Sequence, residues 1–166
     1  MENLNKDLFE AVENNDLAKV TLLLNNGADV DTFTDHGYNV LMLASYEGYL
    51  EIVQELLKKK ADVNLLGFHK CTALSQASKG GHINIVELLL QNGADINATD
   101  SYYGETTLEW ALRTGNEELI KIFFKYGADT DSFEEDQERY ADIIEAAKDE
   151  YEKSIIENKM IKRSKH

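Results

Sequence analysis

The most constraining feature of this chain is a tripeptide, Gly-Ala-Asp, that returns at a nearly fixed interval. Copies begin at Gly27, Gly93 and Gly127, and Lys60-Ala61-Asp62 occupies the position between the first two. Positions 27, 60, 93 and 127 lie 33, 33 and 34 residues apart. A period of about 33 residues is the length of a β-turn followed by two short helices. The chain is therefore predicted to be an array of such units.

Four apolar positions keep the same interval and identify the residues that neighbouring units present to one another. They are Leu8, Leu41, Leu74 and Leu108; Ala11, Ala44, Ala77 and Ala111; Val20, Val53, Val86 and Ile120; and Leu23, Leu56, Leu89 and Phe123. A unit of this size cannot bury its apolar face alone, so successive units are expected to stack around one continuous core. Such a stack offers an extended surface and no natural deep pocket, which favours recognition over catalysis.

Each unit is predicted to contain two short helices separated by a tight turn. In the second unit a short apolar helix, Val40 to Glu47, ends at Gly48, and a second helix covers Glu51 to Lys59. Glycine suits this position because it adopts positive φ without a Cβ clash. The equivalent turn residues in the other units are Asn15, Gly81 and Gly115. By the same reasoning Lys60, which replaces a repeat glycine, is expected to adopt positive φ.

The fullest copy of the unit extends from Thr72 to Asn97. It reads Thr-Ala-Leu-Ser-Gln-Ala, then Gly-His-Ile-Asn-Ile-Val-Glu-Leu-Leu-Leu, then Gly-Ala-Asp-Ile-Asn. This resembles the ankyrin repeat, whose pattern is Gly-x-Thr-Pro-Leu-His-x-Ala, Gly-His-x-x-Ile-Val-x-Leu-Leu-Leu and Gly-Ala-Asp-Val-Asn. The resemblance covers residues 4 to 131.

The resemblance implies an all-α fold, an ankyrin-repeat solenoid of about four helix-turn-helix units with β-turn fingers and a C-terminal capping helix region. The expected boundaries are an N-terminal capping unit at 1–33, repeats at 34–66, 67–99 and 100–133, a degenerate unit or capping helix at 134–158, and a basic frayed tail at 159–166. In the region 134–158, Ile143 and Ala146 reproduce the Leu-x-x-Ala spacing of the earlier units.

The chain departs from the family pattern at the start of each first helix. It contains no proline, and the family's proline, which pre-sets φ at the first helical position, is replaced by Val40, Ala73 and Thr107. The family's histidine is replaced by Met42, Ser75 and Glu109. The fingers are therefore expected to be less firmly held than in a consensus array, and the array to be less stable.

The charge of the chain limits its partners. It has 31 acidic and 17 basic residues and a formal net charge of −14. Nucleic acids and anionic membranes are bound through lysine and arginine, so this balance argues against both. A protein partner with a basic or apolar patch fits better, although a net negative surface also serves solubility alone. No apolar run suits a membrane span and Met1 to Asn15 lacks the pattern of a signal peptide, so a cytoplasmic location is expected.

The residue types that carry chemistry do not form a recognisable catalytic or metal-binding pattern. The histidines have no His or Cys at metal-ligand spacing, and the single cysteine, Cys71, excludes an intramolecular disulfide. Cys71, in a finger beside Lys70 and His69, is interpreted as an ordinary surface thiol. His82 at the entry of a second helix and Trp110 on a first helix are interpreted as structural. The chain is therefore predicted not to be an enzyme and not to need a cofactor or a metal.

The resemblance also implies where a partner would bind. In ankyrin arrays the fingers and the exposed turn of each first helix form a concave recognition face. Mapped residue by residue, this face contains Phe33, Asp35, His36, Tyr38, Tyr46, Glu47, Leu66, Phe68, His69, Cys71, Lys79, Gly80, Tyr102, Tyr103, Glu105, Arg113 and Thr114. No core requirement explains its many aromatic residues, which are typical of interface hot spots. The alternative is that some of these rings pack between adjacent fingers.

The sequence thus predicts a non-catalytic protein–protein interaction module, a scaffold, adaptor or inhibitor, expected to be monomeric. One alternative is a secreted or translocated ankyrin effector of an intracellular microbe or virus, with the basic tail as its export or targeting signal. A further alternative is a regulatory subunit or inhibitor of an enzyme.

Overall fold

The computed structural model describes residues 4–99, 104–129, 141–149 and 152–153, and within these ranges the chain is built of short α-helices. In chain order they are α1 (Leu4–Glu13), α2 (Leu17–Asn25), α3 (Val40–Glu47), α4 (Leu50–Lys58), α5 (Ala73–Gly80), α6 (Ile83–Gln91), α7 (Thr107–Thr114), α8 (Glu117–Lys125) and α9 (141–149). A 3-10 turn covers Phe68–Lys70. Single antiparallel bridges join Phe33 to Asn39 and Thr99 to Thr106. The predicted all-α class is confirmed.

Backbone contacts divide the chain into two units, residues 1–107 and 108–166. In the first unit the helices form the pairs α1–α2, α3–α4 and α5–α6. The first helices stack in the order α1, α3, α5, and the second helices in the order α2, α4, α6. This is the stacking of helix pairs that the period predicts. The second unit contains α7 from its second residue, Leu108, onward, together with α8 and α9.

The four apolar registers form the core. All sixteen residues of these registers are at most 8% exposed, in both units. Leu8, Leu41 and Leu74 lie on the stacked first helices α1, α3 and α5. The predicted spine of the stack is therefore confirmed by burial.

The turns between paired helices have the predicted backbone. Gly48, Gly81 and Gly115 have φ of 81°, 75° and 70°, and Asn15 has φ of 52° in the same register. Asparagine is among the few residues with a side chain that tolerate this region. One turn geometry therefore serves every helix pair.

Two lysines occupy left-handed positions that other units fill with glycine. Lys60 has φ of 65°, as predicted. Lys70 has φ of 58°, and the equivalent residues Gly37 and Gly104 have φ of 71° and 73°. The second substitution was missed because the finger around Lys70 contains a different glycine, Gly67, three residues earlier. Both lysines hold a conformation that costs a side-chain-bearing residue roughly 1–2 kcal/mol.

Replacing Lys60 with glycine is expected to raise the free energy of unfolding by about 1 kcal/mol, because glycine removes the Cβ strain. Urea unfolding followed by circular dichroism measures the change. Lys59→Gly is the matched control, because Lys59 has an ordinary φ of −82° and no strain to relieve. A Lys60→Gly variant that unfolds at lower urea than the parent would contradict this account of the turn.

Side chains replace the missing proline at the starts of the first helices. The Asn39 side chain accepts a hydrogen bond from the Met42 N–H at 2.8 Å and caps α3. At α5 the Ser75 N–H donates to Thr72 Oγ1 at 3.1 Å, and the Thr72 N–H donates to Ser75 Oγ at 3.0 Å. Ser75, which replaces the family's histidine, therefore closes a capping box.

Hydrogen bonds also hold the fingers in place, one within the first repeat and the others between successive repeats. The N–H groups of Asp29, Asp62 and Asp95 donate to side-chain oxygens of Asn5, Asp31 and Asn64, at 2.9, 2.9 and 2.8 Å. Asn64 additionally donates from its amide to the Gly93 carbonyl at 3.0 Å. The fingers are thereby fixed relative to one another within the first unit.

The C-terminal region is described only in part. Ile144 and Ala147 are the buried residues of α9, whereas Ile143 is half-buried and Ala146 is exposed. Two pairs in this stretch have the Leu-x-x-Ala spacing, Ile143 with Ala146 and Ile144 with Ala147, and packing buries the second pair. The boundary at 133/134 and the tail 159–166 lie outside the described residues.

Candidate functional site

Most residues assigned to the recognition face are exposed. The exposed members are Phe33, Asp35, His36, Tyr38, Tyr46, Glu47, Leu66, Phe68, His69, Lys79, Arg113 and Thr114, and the half-buried members are Gly80 and Glu105. Tyr102 and Tyr103 lie outside the described residues. Arg113 and Thr114 belong to the second unit, and the other described members belong to the first.

The exposed apolar surface of the described residues is concentrated on this face. Its large apolar members are 38–58% exposed: Phe33, Tyr38, Tyr46, Leu66 and Phe68. Among the described residues only Leu17 and Leu22, both on α2, are comparable. Phe68 also meets the neighbouring finger, since its N–H donates to the Gly37 carbonyl at 2.8 Å, but its ring remains exposed.

A groove of about 530 Å³ in the first unit is lined in part by residues of this face. Its lining residues are Phe9 and Glu13 of α1; Thr34, His36 and Tyr38 of the finger; Met42, Leu43 and Tyr46 of α3; and Gln76 of α5. The groove brings together the predicted residues His36, Tyr38 and Tyr46. Of the other predicted residues described, none lines it.

Helical spacing explains how the groove is formed. Phe9 and Glu13 are four residues apart on α1, and Met42 and Tyr46 are four apart on α3, so each pair lies on one helix face. Met42 and Phe9 are buried and supply an apolar floor, whereas Tyr38 and Tyr46 are exposed. The groove therefore has an apolar base, aromatic side chains open to solvent and a carboxylate.

Six of the lining residues were not predicted, and the repeat register contains a signal for two of them. Met42 stands where the family has histidine, so this departure places an apolar side chain in the groove. Glu13 stands in the same register as Tyr46, 33 residues earlier. The remaining ones are Phe9, Thr34, Leu43 and Gln76.

Cys71 is not part of the exposed face, and its interpretation as a surface thiol is wrong. The residue is 4% exposed, and its Sγ lies 3.9 Å from the Met42 Sδ. Cys71 lies directly before Thr72, the N-cap of α5, where the chain turns into the stack. A Cβ on Gly67 would approach the sulfurs of Cys71 and Met42 to 2.8 Å, so this glycine is required by packing.

The structural role predicted for His82 is confirmed. Its ring nitrogen Nε2 lies 2.8 Å from the Tyr46 carbonyl oxygen, a hydrogen bond between successive repeats. A Cβ built on Gly48 or Gly80 would come within 2.4 or 2.5 Å of the His82 ring, so both glycines make room for it. His82 therefore joins the third repeat to the first helix of the second. Trp110, in the second unit, is half-buried.

Within the described ranges, no three His, Cys, Asp or Glu side chains are grouped so as to hold a metal ion. In the same ranges no helix combines the length and the apolar character needed to cross a bilayer.

Stacked helix pairs, extended fingers and left-handed turns at a 33-residue period define a helical repeat protein with an exposed apolar face. The chain matches the family model described as ankyrin repeats (3 copies) over residues 8–100 and again over 67–134. It belongs to the ankyrin-repeat family. Ankyrin repeats are generally protein–protein interaction modules and are typically non-catalytic. None of the curated proteins matches this chain.

Proposed function

We propose that this protein is a non-catalytic scaffold, adaptor or inhibitor that binds a protein partner through the face formed by its fingers and first helices. The observation that carries the proposal is the concentration of exposed Phe33, Tyr38, Tyr46, Leu66 and Phe68 on that face. Exposed aromatic side chains supply large contact areas at small entropic cost and are enriched at hot spots. The stack does not bury these side chains, which are 38–58% exposed.

The charges beside this face support a partner with a basic or apolar patch. Asp35 and Glu47, next in sequence to His36 and Tyr46, are both exposed. Carboxylates around an apolar contact raise the association rate of a cationic partner and discriminate against an acidic one. We also propose that the protein is monomeric and cytoplasmic. Its net charge of −14 disfavours binding to nucleic acids.

A matched pair of double variants tests the proposal. Tyr38→Ala/Tyr46→Ala removes two exposed rings from the face, and Leu17→Ala/Leu22→Ala removes two exposed apolar side chains from α2. Each immobilised variant and the parent are used to capture proteins from an extract of the cells that make this protein. Partners retained by the parent and the α2 variant should be retained at least about tenfold more weakly by the face variant.

Circular dichroism and urea unfolding should show that both variants keep the parent's helix content, because the four side chains lie outside the core. Equal retention of the same partners by the face variant would place binding elsewhere on the molecule.

A further inference from the structure

We propose that the groove over α1 and α3 binds an extended segment of the partner in which an aliphatic or aromatic side chain adjoins a lysine or arginine. The inference rests on the proposed function, since it names the kind of segment that the face would receive. Its basis is the shape, the apolar base and the uneven charge of the groove.

The base of the groove suits one apolar side chain. Its volume of about 530 Å³ lies within the roughly 300–1,000 Å³ of ordinary ligand sites. Phe9, Met42 and Leu43 supply its apolar contacts. Methionine adapts to different shapes, so the groove would accept aliphatic and aromatic side chains alike.

The charge of the lining favours a cation beside that side chain. The lining contains one carboxylate, Glu13, one histidine, His36, and no lysine or arginine. Within the described part of the chain no side chain forms an ion pair or hydrogen bond with the Glu13 carboxylate. By contrast, Oε1 of Glu10 on the same helix lies 3.8 Å from Nζ of Lys19. A segment entering the groove would therefore meet an available carboxylate.

An aromatic ring strengthens the same preference. Tyr46 occupies on α3 the register position of Glu13 on α1, and these two helices are stacked. A lysine or arginine at this end of the groove would gain both the attraction of the carboxylate and a cation–π contact. The next residue in this register is Lys79 on α5, which is exposed. The basic end of the bound segment therefore lies toward α1.

The experiment begins with selection of binding peptides from a random dodecapeptide library displayed on phage, using the immobilised full chain. The enriched sequences should carry an aliphatic or aromatic residue within two positions of a lysine or arginine. Synthetic versions of the enriched peptides are then titrated against the parent and against Glu13→Gln. The matched control is Glu10→Gln, on the same helix but outside the groove lining.

Glu13→Gln should weaken peptide binding about fivefold, and Glu10→Gln less than about twofold. Replacing the peptide's basic residue with glutamine should weaken binding to the parent by a similar factor. For that altered peptide, Glu13→Gln should cause little further loss of affinity. Replacing the peptide's apolar residue with serine should weaken binding more than tenfold. Raising the salt from about 0.05 M to about 0.5 M should reduce the Glu13 effect, because exposed charges are then screened.

The inference is overturned if no peptide is enriched, if the enriched peptides lack a basic residue, or if Glu13→Gln leaves their binding unchanged. These outcomes are separable from failure of the proposed function. If the peptide test fails but Tyr38→Ala/Tyr46→Ala still loses the captured protein partners, the face remains the binding surface. Only the inference about the bound segment is then rejected. Retention of those partners by the double variant would reject the proposed function itself.

Discussion

Replacing Leu74 with alanine is expected to lower the free energy of unfolding by about 2 to 5 kcal/mol. Leu74 is 1% exposed on α5, the helix that packs against both α3 and α6. Truncation removes buried methyl groups and leaves a cavity that the neighbouring helices cannot fully close. Urea unfolding monitored by circular dichroism at 222 nm measures the loss.

Leu66→Ala is the matched control for this substitution. It makes the same chemical change in a finger, where Leu66 is 56% exposed, so its effect should stay within about 0.5 kcal/mol. A cost below about 1 kcal/mol for Leu74→Ala would mean that Leu74 is not at the centre of the stack.

Replacing Gly48 with alanine is expected to cost about 2 to 5 kcal/mol, through two additive effects. Gly48 has φ of 81°, so any side chain there is strained by roughly 1–2 kcal/mol. Its Cβ would also come within 2.4 Å of the His82 ring, which is held by the Tyr46 carbonyl. Forcing an extra methyl group into a packed site typically costs a further 1–3 kcal/mol.

Gly81→Ala separates the two effects. Gly81 has φ of 75° in the same register, but a Cβ there meets nothing within 4 Å. It should cost only the backbone strain, about 1–2 kcal/mol. Equal losses from the two glycines would show that the His82 ring moves aside freely. In that case adding His82→Ala to Gly48→Ala would recover no stability.

The contact between His82 and Tyr46 also links the stack to the candidate groove. Tyr46 lines the groove, and its carbonyl oxygen accepts a hydrogen bond of 2.8 Å from the Nε2 of His82 in the third repeat. The position of this groove wall therefore depends on correct docking of the third repeat. A partner that binds the groove should in turn stabilise that docking, because it favours only the folded state.

The sequence alone was sufficient to determine the repeat, the buried registers and the conformation of Lys60. These features recur once per unit, so an assignment made in one unit can be checked against the same position in the other units. The burial of Leu41 and Leu74 follows from stacking, and the positive φ of Lys60 follows from the glycines in its register. Properties shared by every unit can be read without knowing which side chains meet.

The tertiary structure alone decided what is particular to single units. The groove needs side chains from α1, α3, α5 and one finger, and periodicity predicts the face of each helix but not the side chains that meet across it. The same limit hid the burial of Cys71 against Met42 and the choice of Ile144 over Ile143. Glu13 became a candidate site residue only when the stack placed α1 beside α3, because contact between distant residues is set by packing and not by local sequence.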